Sequence, residues 1–190
     1  MVEVKRDRRG QILSAARIEF AARGYSGARV NRIAERANVN KQLIFYYFGS
    51  KEGIYQAAVD KAANEVADAT TSGAPASLRE TLGATFQQLV EHPEGIALIV
   101  HAARSGERVT PSVARAISRP WRQIRDTISQ GQGVGLVRDD VNPDALSIQA
   151  VVLLVGYLAL EPVLLDLPRN VPRDAWAAAV GDSFTRILAW

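Results

Sequence analysis

The sequence contains no cysteine, only two histidines and one methionine among its 190 residues. Without cysteine there can be no disulfide framework and no thiolate metal site, which suits a reducing compartment such as the cytoplasm. His92 and His101 have no second ligand at a metal-binding spacing, and no nucleophile–base–acid set is visible. The sequence therefore predicts no metal, no cofactor and no enzymatic centre.

Long hydrophobic runs are also missing. The first ten residues, MVEVKRDRRG, are charged and lack the apolar region of a signal peptide. The most apolar run, residues 150–160, is too short to span a bilayer. No stretch alternates apolar and polar residues as a half-buried strand does. We therefore expect a cytoplasmic, all-α protein with no membrane partner.

Positive charge is unevenly distributed along the chain. Residues 1–61 carry 12 Lys/Arg against 6 Asp/Glu, whereas residues 62–190 carry 11 against 14. Nucleic-acid binding predicts such an asymmetry, because backbone phosphates supply most of the attraction. Small domains often differ by a few charges without binding DNA, so the asymmetry by itself leaves both interpretations open.

Two short helices joined by a tight turn are indicated within residues 29–55. The first has an apolar face at helical spacing, formed by Val30, Ile33, Ala34 and Ala37. Asn38 tolerates the left-handed conformation that ends a helix, and Val39 can fill the gap between the helices. A second helix begins at Asn40 and turns Leu43 and Ile44 inward. This is the helix-turn-helix pattern, whose second helix enters the DNA major groove.

The run GYSGARVNRIAERANVNKQLIFYYFGSKEGIY resembles the DNA-binding domain of the TetR family of bacterial transcriptional regulators. The residues that match in type and spacing are Gly24, Tyr25, Ile33, Ala34, Val39, Leu43, Phe48, Ser50, Lys51 and Glu52. The chain departs from the family at Ala28, Arg29, Asn38, Phe45 and Tyr47, where Thr, Thr, Gly, Tyr and His are commoner. The phosphate contacts are therefore reassigned to Arg29, Tyr46 and Tyr47. The run IFYYF has more aromatic rings than a short helix can bury on one side, so at least one phenol should face outward, within reach of phosphate.

The expected contacts with bases lie at the start of the second helix. Asn and Gln can bond adenine and Lys can reach guanine, so Asn40, Lys41 and Gln42 are candidates. Asn40 is equally suited to cap the helix, and both roles remain open. Lys51, at the start of the next helix, is placed to contact phosphate beside the helix N-terminal amides.

About nine helices are expected over the whole chain. The first runs over about 8–23 and is ended by Gly24, and residues 70–77 form a linker. Ser50, Ser77, Thr110 and Asn142 each resemble an N-cap, the last two being followed by proline at the first helical position. The expected domains are a helix-turn-helix DNA-binding domain, 1–60, and a helical ligand-binding and dimerisation domain, 61–190.

The helix expected over 143–166 is apolar on nearly all sides, so it needs cover on all sides. It is either the central helix of one subunit or part of a symmetric interface. The resemblance implies a homodimer in which this helix and the last one, from Pro172, form a four-helix interface. The candidate interface residues are Val151, Val152, Leu154, Val155, Leu158, Phe184, Ile187 and Leu188.

The resemblance also implies an effector cavity within the second domain. Phe86, Trp121 and Tyr157 lie on helices that would surround it, although plain core packing explains them equally well. Charge is scarce in 81–90, 95–103 and 145–160, which indicates an unknown small-molecule effector that is largely apolar.

The expected function is that of a ligand-responsive transcriptional regulator, a repressor that leaves a palindromic double-stranded operator when a small molecule binds. Two other hypotheses remain. One is a sequence-tolerant DNA-binding protein without an effector, and the other is a small helical enzyme with a vestigial N-terminal domain, against which stands the missing catalytic set.

Overall fold

The computed structural model describes residues 2–69, 77–104 and 110–164, together with positions 175, 178–179, 182–183 and 186. The described residues form no strand, which confirms the all-α prediction. None of the described helices is at once long and apolar enough to cross a membrane. The helices are α1 (Val2–Gly27), α2 (Val30–Arg36), α3 (Lys41–Phe48), α4 (Lys51–Ala69), α5 (Leu78–Glu91), α6 (Pro93–Arg104), α7 (Pro111–Gly133) and α8 (Pro143–Leu164).

Four helices begin at a capping side chain that the sequence places there. In each case the side-chain oxygen accepts a hydrogen bond from the backbone N–H three residues later, which satisfies one of the unpaired donors of the first turn. These bonds measure 3.0 to 3.3 Å and confirm the predicted caps Ser50, Ser77, Thr110 and Asn142.

The first of two compact units contains Met1–Val66 and Glu94–Arg115. Its core includes an aromatic cluster in which the rings of Phe20 and Tyr25 each lie 5.0 Å from that of Tyr55. Both contacts are edge-on, the arrangement that aromatic quadrupoles prefer. Phe20 and Tyr55 are fully buried, so the cluster ties the second half of α1 to α4.

Gly24 breaks the regular geometry of α1 where the sequence predicts a helix end. Its φ of 63° is a conformation that few residues other than glycine adopt. A Cβ atom at this position would lie 2.5 Å from Nε2 of His101, so α6 approaches this backbone closely. At its other end α1 begins at Val2, six residues before the predicted start near Arg8.

The second compact unit contains Ala67–Pro93 and Ala116–Trp190. Its core places Leu82, Ile124, Ile128 and Leu154 at 0 % exposure. The position of Leu154 corrects the expectation that it forms a dimer interface, because a side chain fully buried in its own subunit has no surface left for a partner. Phe184, Ile187 and Leu188 lie outside the described residues.

A buried carboxylate joins α1 to α2 in the first unit. Glu19 is only 3 % exposed, and its Oε1 accepts hydrogen bonds from the backbone N–H of Arg29 at 3.1 Å and from Nε of Arg32 at 2.7 Å. Arg32 also donates to the carbonyl oxygen of Gly27 at 3.1 Å, and Arg23 Nε lies 3.9 Å from the carboxylate. Glu19 therefore holds the start of α2 against α1.

The surroundings of Glu19 favour its ionised form. Burial alone raises the pKa of this carboxyl, but the hydrogen bonds from Arg32 and Arg29 and the charges of Arg32 and Arg23 together lower it below 4.5, its ordinary value. Because the folded pKa is depressed, Glu19 contributes stability above its unfolded pKa and loses it as the pH falls through the folded pKa.

Replacement of Glu19 by Gln should destabilise the protein by about 1–2 kcal/mol at pH 7, because two charge-assisted bonds lose their charge. Thermal unfolding should show a lower midpoint at pH 7, and the difference from the wild type should shrink as the pH falls below 4.5. Glu35→Gln is the matched control, since Glu35 is exposed on α2. Equal effects of the two substitutions, or a difference independent of pH, would contradict this role.

Candidate nucleic-acid interface

The turn between α2 and α3 has the geometry that the sequence predicts. Asn38 adopts a positive φ of 51°, and its N–H donates to the carbonyl oxygen of Glu35 at 3.1 Å. The next N–H, that of Val39, donates to the carbonyl oxygen of Ala34 at 3.0 Å. These bonds close α2 tightly and send the chain directly into α3, so the helix-turn-helix layout is confirmed.

Asn40 caps α3. Its Oδ1 accepts a hydrogen bond from the N–H of Leu43 at 2.7 Å, and its backbone is extended. A bidentate bond to adenine requires both the oxygen and the nitrogen of the amide. The oxygen is engaged by the helix, which confirms the capping role of Asn40, and its base contact stays a prediction.

One face of α3 is solvent-exposed from Lys41 to Tyr46. Lys41 and Gln42 are exposed in the first turn, and Phe45 and Tyr46 continue the same face at 39 % and 72 % exposure. Ile44, on the opposite side, is fully buried. The exposure of Tyr46 confirms the expectation that one phenol of the aromatic run faces outward. Tyr47 is half-buried.

The side chains of this aromatic run support one another. The ring of Tyr47 lies 5.4 Å from that of Tyr46 and 6.2 Å from that of Phe48. The guanidinium of Arg9 lies 5.4 Å from the centre of the Phe48 ring, which places an α1 cation against the end of α3. Rigid aromatic neighbours restrict the positions open to the Tyr46 hydroxyl.

Three of the predicted DNA-contacting residues are cations: Lys51, Lys41 and Arg29. Lys51 Nζ lies 4.7 Å from the centre of the Tyr25 ring and 3.5 Å from the carbonyl oxygen of Ser26. Lys41 Nζ lies 5.6 Å from the centre of the Phe45 ring. Arg29 is exposed at the N-cap of α2, where its own N–H is fixed by Glu19.

The junction of α3 and α4 depends on Gly53, which the sequence reasoning did not single out. A Cβ atom at this position would lie 2.0 Å from the carbonyl oxygen of Phe48. The first turn of α4 therefore presses against the last turn of α3, and only glycine fits. The sequence contains one sign of this contact, which is a glycine in the first turn of a helix with clear apolar periodicity.

The structure brings together two of the three predicted effector residues. Phe86 and Tyr157 are buried with ring centres 5.6 Å apart, between α5 and α8. Trp121, on α7, lies 5.4 Å from the guanidinium of Arg125, and its Nε1 is buried without a hydrogen-bond partner. Within the described ranges no group of three or more His, Cys, Asp or Glu residues is arranged to hold a metal ion.

The surface of α8 carries an apolar row, which we call the α8 stripe: Ile148, Val152, Gly156 and Leu160. These positions are spaced by four, so they share one helix face. Ile148, Val152 and Leu160 are 53 %, 64 % and 55 % exposed, and a Cβ atom at Gly156 would have no neighbour within 4 Å. The predicted residues Val151, Val155 and Leu158 are half-buried beside it.

Comparisons with known proteins agree with this geometry. Residues 12–58 match the family model of bacterial regulatory proteins of the tetR family, and residues 75–179 match the model of the tetracyclin repressor-like C-terminal domain. The chain is 30 % identical to the transcriptional repressor NicS of Pseudomonas putida, over 70 % of this chain and 67 % of that protein. It is 36 % identical to the transcriptional activator FasR of Mycolicibacterium smegmatis, over 67 % and 62 %.

A solved structure also matches nearly the whole chain. The transcriptional regulator SCO4942 of Streptomyces coelicolor superposes with a TM-score of 0.70 and 27 % identity, over 95 % of this chain and 97 % of that one. Since the C-terminal family model alone covers more than half of the sequence, and the helix-turn-helix occupies the expected residues, the chain belongs to the TetR family of bacterial transcriptional regulators.

Proposed function

We propose that the protein is a ligand-responsive repressor that binds a palindromic operator in the cytoplasm as a homodimer. The observation that carries the proposal is the exposed face of α3, which begins at a capped helix start with Lys41 and Gln42. We infer repression in preference to activation because NicS is a repressor by name and aligns over larger shares of both chains than the activator FasR. Residues 1–60 would bind DNA, and 61–190 would bind the effector and the partner subunit.

Base reading is assigned to Lys41 and Gln42. Both side chains are exposed in the first turn of α3, the part of a recognition helix that meets base edges. Asn40 would support them by fixing the helix start through its cap. Asn40 therefore contributes to DNA recognition through helix geometry.

Phosphate binding is assigned to Arg29, Tyr46, Tyr47 and Lys51. Most protein–DNA hydrogen bonds go to the phosphate backbone, where arginine, lysine and tyrosine side chains fix the register of the protein. The Tyr46 hydroxyl is on the most exposed side chain of α3, and Arg29 is exposed at the start of α2. The contact of Lys51 with the Tyr25 ring pre-orders its ammonium group for such a role.

Dimerisation is assigned to the α8 stripe with Val151, Val155 and Leu158 beside it. Three large aliphatic side chains that are more than half exposed on one helix face form an unfavourable surface in water. Gly156, in the middle of the stripe, would let a second helix approach closely. Symmetric dimers bury such self-complementary patches, and Phe184, Ile187 and Leu188 would complete the interface from the last helix.

The effector is assigned to the second compact unit, near Phe86, Tyr157 and Trp121. The aromatic pair offers an apolar surface, and the unpartnered Trp121 Nε1 offers one buried hydrogen-bond donor. A largely apolar molecule with at least one acceptor group fits that chemistry. An effector that binds more tightly to the conformation with low DNA affinity weakens DNA binding. The size of the effect is set by the difference between its affinities for the two conformations.

Selection of bound fragments from random duplexes, followed by footprinting, tests the proposed function. The repressor hypothesis expects one inverted repeat whose half-sites lie about one helical turn, or a multiple of it, apart. Uniform protection of all sequences would instead favour a sequence-tolerant DNA-binding protein. An absence of DNA binding would leave the enzyme hypothesis. A thermal-shift screen of small molecules then identifies the effector.

Gln42→Ala should weaken binding to the selected operator by about 1–3 kcal/mol and leave binding to scrambled duplexes nearly unchanged, because it removes a base contact. The melting temperature should stay close to that of the wild type, since the residue is exposed. Fluorescence anisotropy on both duplexes gives the two affinities. Gln130→Ala, at an exposed position of α7, is the control. Equal losses on both duplexes would show that Gln42 does not read bases.

Lys51→Ala should weaken binding to all duplexes alike, because phosphates carry no sequence information. The plot of log affinity against log salt should become less steep by about one unit, since one fewer counterion is released. Titrations at four salt concentrations measure the slope, with Arg122→Ala on α7 as the charge control. A change in sequence preference with an unchanged slope would place Lys51 at a base.

Gly156→Leu should convert the dimer into monomers, or weaken dimerisation at least tenfold, without unfolding the subunit. The new side chain meets open space within its own chain but would hold a partner helix away. Sedimentation at micromolar concentration measures the mass, and circular dichroism checks the helices.

Gly83→Leu is the matched control for this experiment, since a Cβ atom at Gly83 on α5 also has no neighbour within 4 Å. This variant should remain a dimer. A dimeric Gly156→Leu protein, or a wild-type protein that sediments as a monomer, would contradict the assignment of the α8 stripe.

A further inference from the structure

An open groove in the first compact unit plays no part in the function proposed above. It has a volume of about 820 Å³ and is lined by one face of α1, the end of α2 with the turn that follows, and one residue of α4. Arg8, Arg36 and Lys61 contribute three positive charges to its walls. No acidic residue is among the described side chains that line it.

The positive charge of the groove is poorly compensated. Lys61 Nζ lies 3.7 Å from a carboxylate oxygen of Glu65, whose other oxygen accepts a hydrogen bond from Arg17 at 2.8 Å. That single carboxylate is therefore shared between two cations. Arg8 and Arg36 are exposed and form no ion pair with any described residue. An anion placed in the groove would relieve the repulsion among the three like charges.

The rest of the groove lining combines polar and apolar residues. Gln11 and Ser14 lie on the same face of α1 as Arg8, and Asn38 lines the groove from the turn after α2. The larger apolar lining residues are Ala15 and Ala37, which are buried, and Ile18, which is half-buried. Cations, polar groups and apolar side chains in one lining suit a compact organic anion better than a fully hydrated inorganic ion. The volume is within the usual range for small-molecule sites.

The groove also extends away from the proposed DNA contacts. Lys61 lies about 15 Å along α4 from Lys51, at a rise of ~1.5 Å per residue. Arg8 and Ser14 belong to α1, outside the exposed face of α3. Phosphates of an operator that contact Lys51 would therefore not fill the groove.

We propose that this groove is a binding site for a small organic anion that bears at least two negative charges, as carboxylates or phosphates. Arg8, Arg36 and Lys61 would neutralise the charges, and Ser14 and Asn38 would donate hydrogen bonds. The site is separate from the effector site near Phe86 and Tyr157, and its occupation requires no DNA.

Isothermal titration calorimetry of the full chain without DNA tests the proposal, with adipate and pyrophosphate as the probes and sodium chloride at matched ionic strength as the reference. Saturable binding of at least one probe is expected. Tighter binding of adipate would identify carboxylates as the ligand chemistry, and tighter binding of pyrophosphate would identify phosphates. The absence of saturable heat for both probes would overturn the site.

Variants separate a built site from diffuse positive charge. The double substitution Arg36→Gln and Lys61→Gln should weaken binding at least tenfold, whereas Arg122→Gln, which removes an exposed charge on α7, should leave it unchanged. Ser14→Trp keeps every charge and should also abolish binding, because the ring would occupy the groove. Circular dichroism melting of each variant verifies that it is folded.

The location of binding is decided by the backbone amide spectrum. Shifts on addition of the tighter probe should be confined to α1, to residues 36–38 and to the surroundings of Lys61. Shifts centred on the start of α3 would place the anion at the DNA contacts and overturn the proposal. An equal loss of affinity in the Arg122→Gln control would do the same, because it would show attraction by net charge alone.

Discussion

The buried carboxylate of Glu19 is the interaction on which the geometry of the DNA-binding face depends. It accepts the backbone N–H of Arg29 and the side chain of Arg32, and so fixes where α2 begins. The turn at Asn38 follows directly from the end of α2, and α3 follows from that turn. An altered start of α2 would change the position of the turn at Asn38 and so the point at which α3 begins.

Close backbone approaches complete this arrangement at two glycines. At Gly53 the first turn of α4 meets the last carbonyl groups of α3, and at Gly24 the end of α1 meets the imidazole of His101 from α6. A side chain at either position would force the contacting segments apart, because another atom already occupies the place of the Cβ atom. The position of the exposed face of α3 thus depends on close contacts that lie away from that face.

Much of the fold and part of the candidate site could be predicted because the signals are local. Caps at Ser50, Ser77, Thr110 and Asn142 act within one helical turn, so the sequence places helix starts well. The turn at Asn38 and the inward Ile44 follow from backbone preference and periodicity. The dense aromatic run 45–48 indicated an exposed phenol, since a short helix cannot bury four rings on one side.

The sequence by itself determined the fold class, the capped helix starts and the helix-turn-helix segment, because these depend on neighbours within a few residues. Only the tertiary structure decided that Glu19 anchors α2, that Asn40 uses its oxygen as a cap, and that Leu154 faces its own core while Val152 faces outward. On a helix that is apolar on nearly every side, periodicity cannot say which face the subunit covers. That choice is made by the packing of distant helices, which no local pattern records.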